Sequence, residues 1–220
     1  MRAIDRRRYN RRSLRRIDGP IGEAVTLAEA RAWIVDPPAG DNALIVGLIG
    51  AATEMVERYL AVSLLEQTLE LRLDGFPGDA DETLLALGPG VHTASLSFVL
   101  SGTGEIELPA GPIQAVESIV ATMRDNSTVT VDPATYSLDG EGWRVFLNDG
   151  QVWPVDLRAR DAVRVQYVAG YGAGNIPAPI LQAIKQHIAV MYEHRGGCEL
   201  GGGVQALLDP YKRVDLLMWS

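Results

Sequence analysis

Apolar residues recur along this chain with two different periods, and the change of period divides it. From Ile176 to Gly197 the spacing is helical. Ile180, Ile184, Ile188 and Met191 fall on one stripe, widened by Leu181 and Tyr192, while Gln182, Lys185, Gln186 and Glu193 take the opposite side. Pro177 and Pro179 fit a first turn, where a missing N–H costs nothing. His194 and Arg195 suit the negative helix end, and Gly196-Gly197 stop the helix. A second long helix is predicted from Asp41, as its cap, to about Leu60. Leu44, Leu48, Ala51, Met55 and Tyr59 make its stripe, and Ile45, Ile49, Ala52, Val56 and Leu60 widen it. Thr53, Glu54, Glu57 and Arg58 form its wet face, and Gly47 and Gly50 suggest close approach of another helix. A shorter helix within Val25–Val35 starts at a Thr26/Glu29 capping box and stops at Asp36-Pro37-Pro38.

From Leu64 to Val168 the period is two. Thr68–Leu73 alternates strictly, and further strands are predicted at Thr83–Leu87, Ser95–Leu100, Glu105–Leu108, Ala115–Met123, Thr128–Val131, Thr135–Leu138, Trp143–Leu147 and Ala162–Val168. Turn residues such as Gly88-Pro89-Gly90, Asp125-Asn126 and Asn148-Asp149-Gly150 separate them. Many short strands at close spacing predict an antiparallel sandwich or small barrel. The expected fold is therefore α+β: a helical bundle, with helices near 26–35, 41–60 and 177–195, carrying an inserted antiparallel β-rich subdomain. The expected divisions are a basic arm at 1–18, a helical core at 19–63 and 176–210, a β-rich insertion at 64–175 and a tail at 211–220. Gly201-Gly202-Gly203 reads as a flexible joint, with one or two helical turns over Val204–Leu208. Leu216, Leu217, Met218 and Trp219 make an apolar terminus, which must fold back on the core or meet a partner.

Charge changes this picture at one end. The net charge of −8 is split between +6 over residues 1–18 and −14 over the rest. An acidic body repels nucleic acid unless a local patch overrides it. The arm, MRAIDRRRYNRRSLRR, is such a patch; Arg8, Arg11, Arg12 and Arg15 would share one face of a helix. It reads either as an arm for phosphate or an acidic protein surface, or as a solvated tail. The single cysteine excludes an internal disulfide. No apolar run approaches the ~18–20 residues of a membrane span, so no membrane partner is expected.

Candidate chemistry is sparse. Gly170-Tyr171-Gly172-Ala173-Gly174 precedes the long helix, where a phosphate-cradling loop would sit, but its spacing is not G-x-G-x-x-G and no G-K-[ST] follows. His194 and Cys198 suggest a thiol–imidazole pair, but two glycines break the helix between them. His187 and His194 could share a helix face without a third metal ligand; His92 is isolated. Asp74, Asp79, Asp81 and Glu82 crowd one loop, at a spacing that matches no calcium loop. Trp143 and Trp153 are expected in the β core. No catalytic residue, cofactor or metal is assigned, and no enzyme activity is expected.

Six blocks, in order, carry a resemblance. They are VTLAEARAWI at 25–34, DNALIVGLIGAATEMVERYLAVSLLEQTLELRLDGFP at 41–77, IELPAGPIQAVESI at 106–119, DAVRVQYVAGYG at 161–172, IPAPILQAIKQHIAVMYEHR at 176–195 and VQALLDPYKR at 204–213. On these the chain resembles the head–tail connector (adaptor, or head-completion) proteins of tailed bacteriophages and gene transfer particles. The resemblance implies a virion protein of the neck, made in the host cytoplasm and assembled as a ring, usually of twelve copies, beneath the portal. It also implies partners: the portal protein, a stopper or tail-completion protein, other copies of itself, and genomic DNA passing without sequence-specific contact. In related connectors the C-terminal segment grips the portal; carried onto this chain, that is Tyr211, Lys212, Arg213, Leu216, Leu217, Met218 and Trp219. The family offers no role for the arm. Arg6, Arg7, Arg8, Arg11, Arg12, Arg15 and Arg16 are candidates for a clamp on an acidic neighbour or on the portal. The alternatives are a nucleic-acid-binding accessory protein that uses this arm, or another neck component such as a stopper.

Overall fold

The computed structural model describes residues 12–77, 104–172, 174–194 and 199–213. The chain is mixed, with helices and antiparallel sheets, and forms two compact units. One comprises Pro20–Gln67 with the chain from Ala169 onward; the other comprises Thr68–Val168 with the chain up to Gly19.

The first unit is helical: α1 (Leu27–Trp33), α2 (Asn42–Leu60), α3 (Ala178–Glu193) and α4 (Gly202–Leu208). Helix α1 starts at the predicted capping box. The Glu29 amide donates to Thr26 Oγ1 at 3.3 Å, and the Thr26 amide donates to Glu29 Oε2 at 3.0 Å. Arg31 then holds the α1–α2 turn by donating to the Pro37 and Pro38 carbonyls and to Asn42 Oδ1. Helix α2 packs on α3, and α1 packs on both. Ile45, Ile49, Val56 and Leu60 meet Ile180, Ile184 and Ile188 in a core from which water is excluded. Each such side chain contributes about 1.5–3 kcal/mol by leaving water.

Several expectations for these helices are corrected. The buried stripe of α2 is the Ile45–Leu60 set, while Leu44 is exposed. Thr53 is not on the wet face: it is buried, and its hydroxyl returns to the Ile49 carbonyl at 2.8 Å, which removes the cost of burying it. Gly47 and Gly50 face open space, and among the described residues no second helix approaches them. Asp41 makes no cap bond to α2; its carboxylate accepts the Tyr192 hydroxyl at 2.5 Å. Gly202 and Gly203 are the first turn of α4, with Gly201 as N-cap, rather than a joint.

The second unit is built from β1 (Arg12–Asp18), β2 (Gln67–Leu73), β3 (Ile106–Glu107), β4 (Ile113–Thr122), β5 (Thr128–Thr130), β6 (Tyr136–Leu138), β7 (Arg144–Leu147) and β8 (Val163–Ala169). Five strands run in the order β1-β2-β8-β4-β5, and three in the order β3-β7-β6. Strands β2 and β8 alternate buried and half-buried positions along their whole length, as period-two patterning dictates. Leu69, Leu71 and Leu73 thus share a core with Val163, Val165 and Tyr167. The Tyr167 hydroxyl donates to the Pro109 carbonyl at 2.8 Å. Trp153 is buried, stacked on Phe76 at 4.5 Å, and its indole N–H donates to Gly104 O at 2.8 Å; Trp143 is half-buried, against Gly111. The strands predicted at 83–87 and 95–100 lie outside the described residues.

Residues 12–18 correct the arm. They are neither a tail nor a helix but a strand, antiparallel to β2 from Arg12↔Leu73 to Asp18↔Thr68. Ser13, Leu14 and Ile17 interrupt the arginines and give the segment enough strand character to pair.

Candidate functional site

The arginine segment and the C-terminal segment were the two sites expected from sequence, and the structure treats them differently. Arg12, Arg15 and Arg16 lie on β1, every residue of which is exposed. Directly opposed residues of antiparallel strands share a sheet face. Leu14 stands opposite buried Leu71, with Arg12 and Arg16 opposite Leu73 and Leu69, so these three continue the core face of β2 into solvent. Arg15 stands on the other face, opposite Glu70. Arg12 reaches Glu107 at 3.4 Å. Arg6, Arg7, Arg8 and Arg11 lie outside the described residues.

The chain is tied down through Arg213. The Tyr59 hydroxyl donates to Asp209 at 2.5 Å, Lys212 Nζ lies 4.5 Å over the Tyr59 ring, and the Arg213 amide donates to the Leu60 carbonyl at 3.2 Å. The Asp209 carboxylate raises the Tyr59 phenol above its ordinary pKa. Tyr211 closes a short 3-10 turn. Two of the expected tail residues, Lys212 and Arg213, therefore belong to the anchorage of the segment at the C-terminal end of α2. Leu216, Leu217, Met218 and Trp219 lie outside the described residues.

The glycine-rich turn is a connection. Gly170 has φ +123°, and a Cβ there would meet the Leu65 carbonyl oxygen at 2.3 Å. The residue is glycine because two backbone segments touch at that point. Gly172 and Gly174 rim a groove of about 540 Å³, lined by Ile21, Leu65, Ile176 and Leu181 with Glu23 and Glu66. The carboxylates repel phosphate. At the start of α3, Pro177 and Pro179 carry no N–H, and the Ile180 and Leu181 amides already donate to the Pro177 carbonyl. Among the described residues, nothing there cradles an anion.

The other candidates resolve into packing. His187 is fully buried between the helices, with Nε2 3.4 Å from Met55 Sδ. Asp74 accepts the Asp161 amide at 3.0 Å. Cys198 and His92 lie outside the described residues, and among the described residues no three His, Cys, Asp or Glu side chains stand close enough to hold a metal ion. Also among the described residues, no helix is long and apolar enough to cross a membrane.

Two titrations bear on the helical unit. The Thr26 amide and hydroxyl, then Lys185 at 3.0 Å, lower the Glu29 carboxyl to about 2. Its contribution to stability is present above the unfolded carboxyl pKa and is lost as pH falls from there toward 2. Burial pushes the His187 imidazole below its ordinary value. A lowered histidine pKa means that stability is intact above the unfolded value of about 6.5 and declines as pH falls through it. We expect the thermal midpoint to fall between pH 7 and pH 5, and to fall less in His187→Leu. Equal falls in the two proteins would assign the effect elsewhere.

By sequence, the chain matches no protein-family model and no curated protein. By structure, it is similar to a chain in the neck of an empty gene transfer agent particle computed with C6 symmetry, with TM-score 0.68 and 20% identity, over 93% of this chain and 97% of that one. It is similar to a chain in the virion of a native gene transfer agent particle, with TM-score 0.66 and 20% identity, over 92% and 96%. A chain in the native neck computed with C12 symmetry gives TM-score 0.59 and 19% identity, over 91% and 97%. Over more than nine-tenths of its length, this chain has the fold of a chain found in gene transfer agent particles and their necks.

Proposed function

We propose that this protein is a structural connector in the neck of a tailed phage or gene transfer particle. It assembles there as a twelve-copy ring under the portal, extends the DNA channel and docks the stopper or tail. The observation that carries the reading is the fold likeness along almost the whole of both chains, which includes necks with C6 and C12 symmetry. The acidic body suits a channel through which DNA slides without being gripped. The C-terminal segment, anchored as far as Arg213 and followed by five large apolar residues in seven, suits a grip on the portal. The arginines from Arg6 to Arg16 suit a clamp on an acidic neighbour, an attraction that weakens with salt.

Deleting the gene in its source particle and imaging the lysate tests this. Separate heads and unattached tails are expected. Joined particles with empty heads would point instead to packaging, and normal infectious particles would overturn the connector.

A further inference from the structure

We propose that β1 is an intersubunit strand: its outer edge pairs with β5 of the next copy of this chain, so that the five-stranded sheet runs on from subunit to subunit. The inference rests on the ring reading above and names the contact that would close the ring. Among the described residues, strands β1 and β5 are the two edges of one sheet, and every residue of both is exposed. An open edge offers a row of unpaired N–H and C=O groups to another strand.

Strand β1 has little other reason to be ordered. Fixing each backbone residue costs about 1–2 kcal/mol, and each hydrogen bond to β2 returns a net of about 0.5–1.5 kcal/mol. A core strand offsets that difference by burying whole side chains; β1 covers only part of Leu14 and Ile17 and buries no residue fully. Leu14 and Ile17 are 46% and 41% exposed, as is Val129 of β5 at 44%. A strand laid along each edge would cover all three.

Charge selects the pairing. Strand β1 carries Arg15 and Arg16, and Arg12 already paired with Glu107, against Asp18 alone. Strand β5 is bracketed by Asp125 and Asp132, and residues 125–132 hold no basic side chain. Both carboxylates accept only neutral donors, Ser127 and Ala134. Pairing of β1 with β1 of another copy would set arginine against arginine and stop at a dimer. Pairing of β1 with β5 joins opposite charges and leaves a β1 and a β5 free at the two ends, the heterologous contact from which a ring is built. If the arginines served only to keep the edge unpaired, no copy would lie against it.

The test uses the full chain in assembled particles. Leu14→Cys and Val129→Cys are combined in a Cys198→Ser background. Particles are treated with a bismaleimide long enough to absorb a register slip of two residues, about 7 Å. Covalent multimers up to the whole ring are expected, with none from either single-cysteine chain. Joined heads and tails that yield only monomer would overturn the β1–β5 contact and leave the connector standing. Unjoined particles from the gene deletion are the separate mark of the connector itself. Should the double variant fail to enter particles, amide exchange of the unaltered chain decides. Outer-edge β1 amides should exchange at least tenfold more slowly in necks than in free protein, and an unchanged rate would refute the pairing.

Discussion

Gly170→Ala should cost about 3 kcal/mol or more and lower the thermal midpoint by about 10 °C. Two penalties coincide. The backbone at φ +123° is one that side chains rarely adopt, and the new Cβ would stand 2.3 Å from Leu65 O and 2.8 Å from Glu66 N. Both obstacles are backbone, so no rotamer change relieves them. Gly174→Ala is the control, since φ there is +78° but nothing lies within 4 Å. It should lose only the strain, about 1 kcal/mol. Equal losses in thermal melts would show that the contact with the 65–66 backbone does not matter.

Ending the chain after Arg213 should leave the melt unchanged and abolish head–tail joining. The apolar residues removed, Leu216, Leu217, Met218 and Trp219, are those that the proposed connector would use to grip the portal, and Trp219 is of a type enriched among interface hot spots. Losing about 3 kcal/mol of docking weakens binding by more than a hundredfold. Ending the chain after Leu208 should in addition lower the melt, because it deletes the Asp209 acceptor of Tyr59, the Lys212 cation over its ring and the Arg213 bond to Leu60. Normal joining by the shorter truncation would move the portal contact elsewhere in the chain. The two truncations together separate anchorage from grip.

The long helices were legible because Ile180, Ile184 and Ile188 recur at the helical period, and the α1 start because a capping box is a local signal. Strands β2 and β8 were legible from strict alternation. What escaped depends on tertiary partners. Asp41 looks like a cap in sequence, but a tyrosine 151 residues away takes its carboxylate. Gly47 and Gly50 signal close approach without saying whether any helix arrives. The strand at 12–18 was hidden by its arginines, which obscure the weak alternation of Leu14 and its neighbours; only the register with β2 exposes it. Of the site residues, sequence singled out Tyr211, Lys212 and Arg213, but it could not show that the last two are fastened to the end of α2.

The chain crosses between its two units three times, at residues 19–20, 67–68 and 168–169, so neither unit is one continuous stretch. On the ribosome this sets an order. The β unit has all its strands but the final residue of β8 once residue 168 is made, whereas α2 waits from residue 60 until α3 begins at 178. At bacterial or eukaryotic elongation speeds that delay is on the order of ten seconds. Throughout it Ile45, Ile49, Val56 and Leu60 have no α3 to cover them. Nascent chains of this protein should therefore depend on chaperones that shield an amphipathic helix, and stalling synthesis between residues 70 and 170 should leave a product that aggregates through α2.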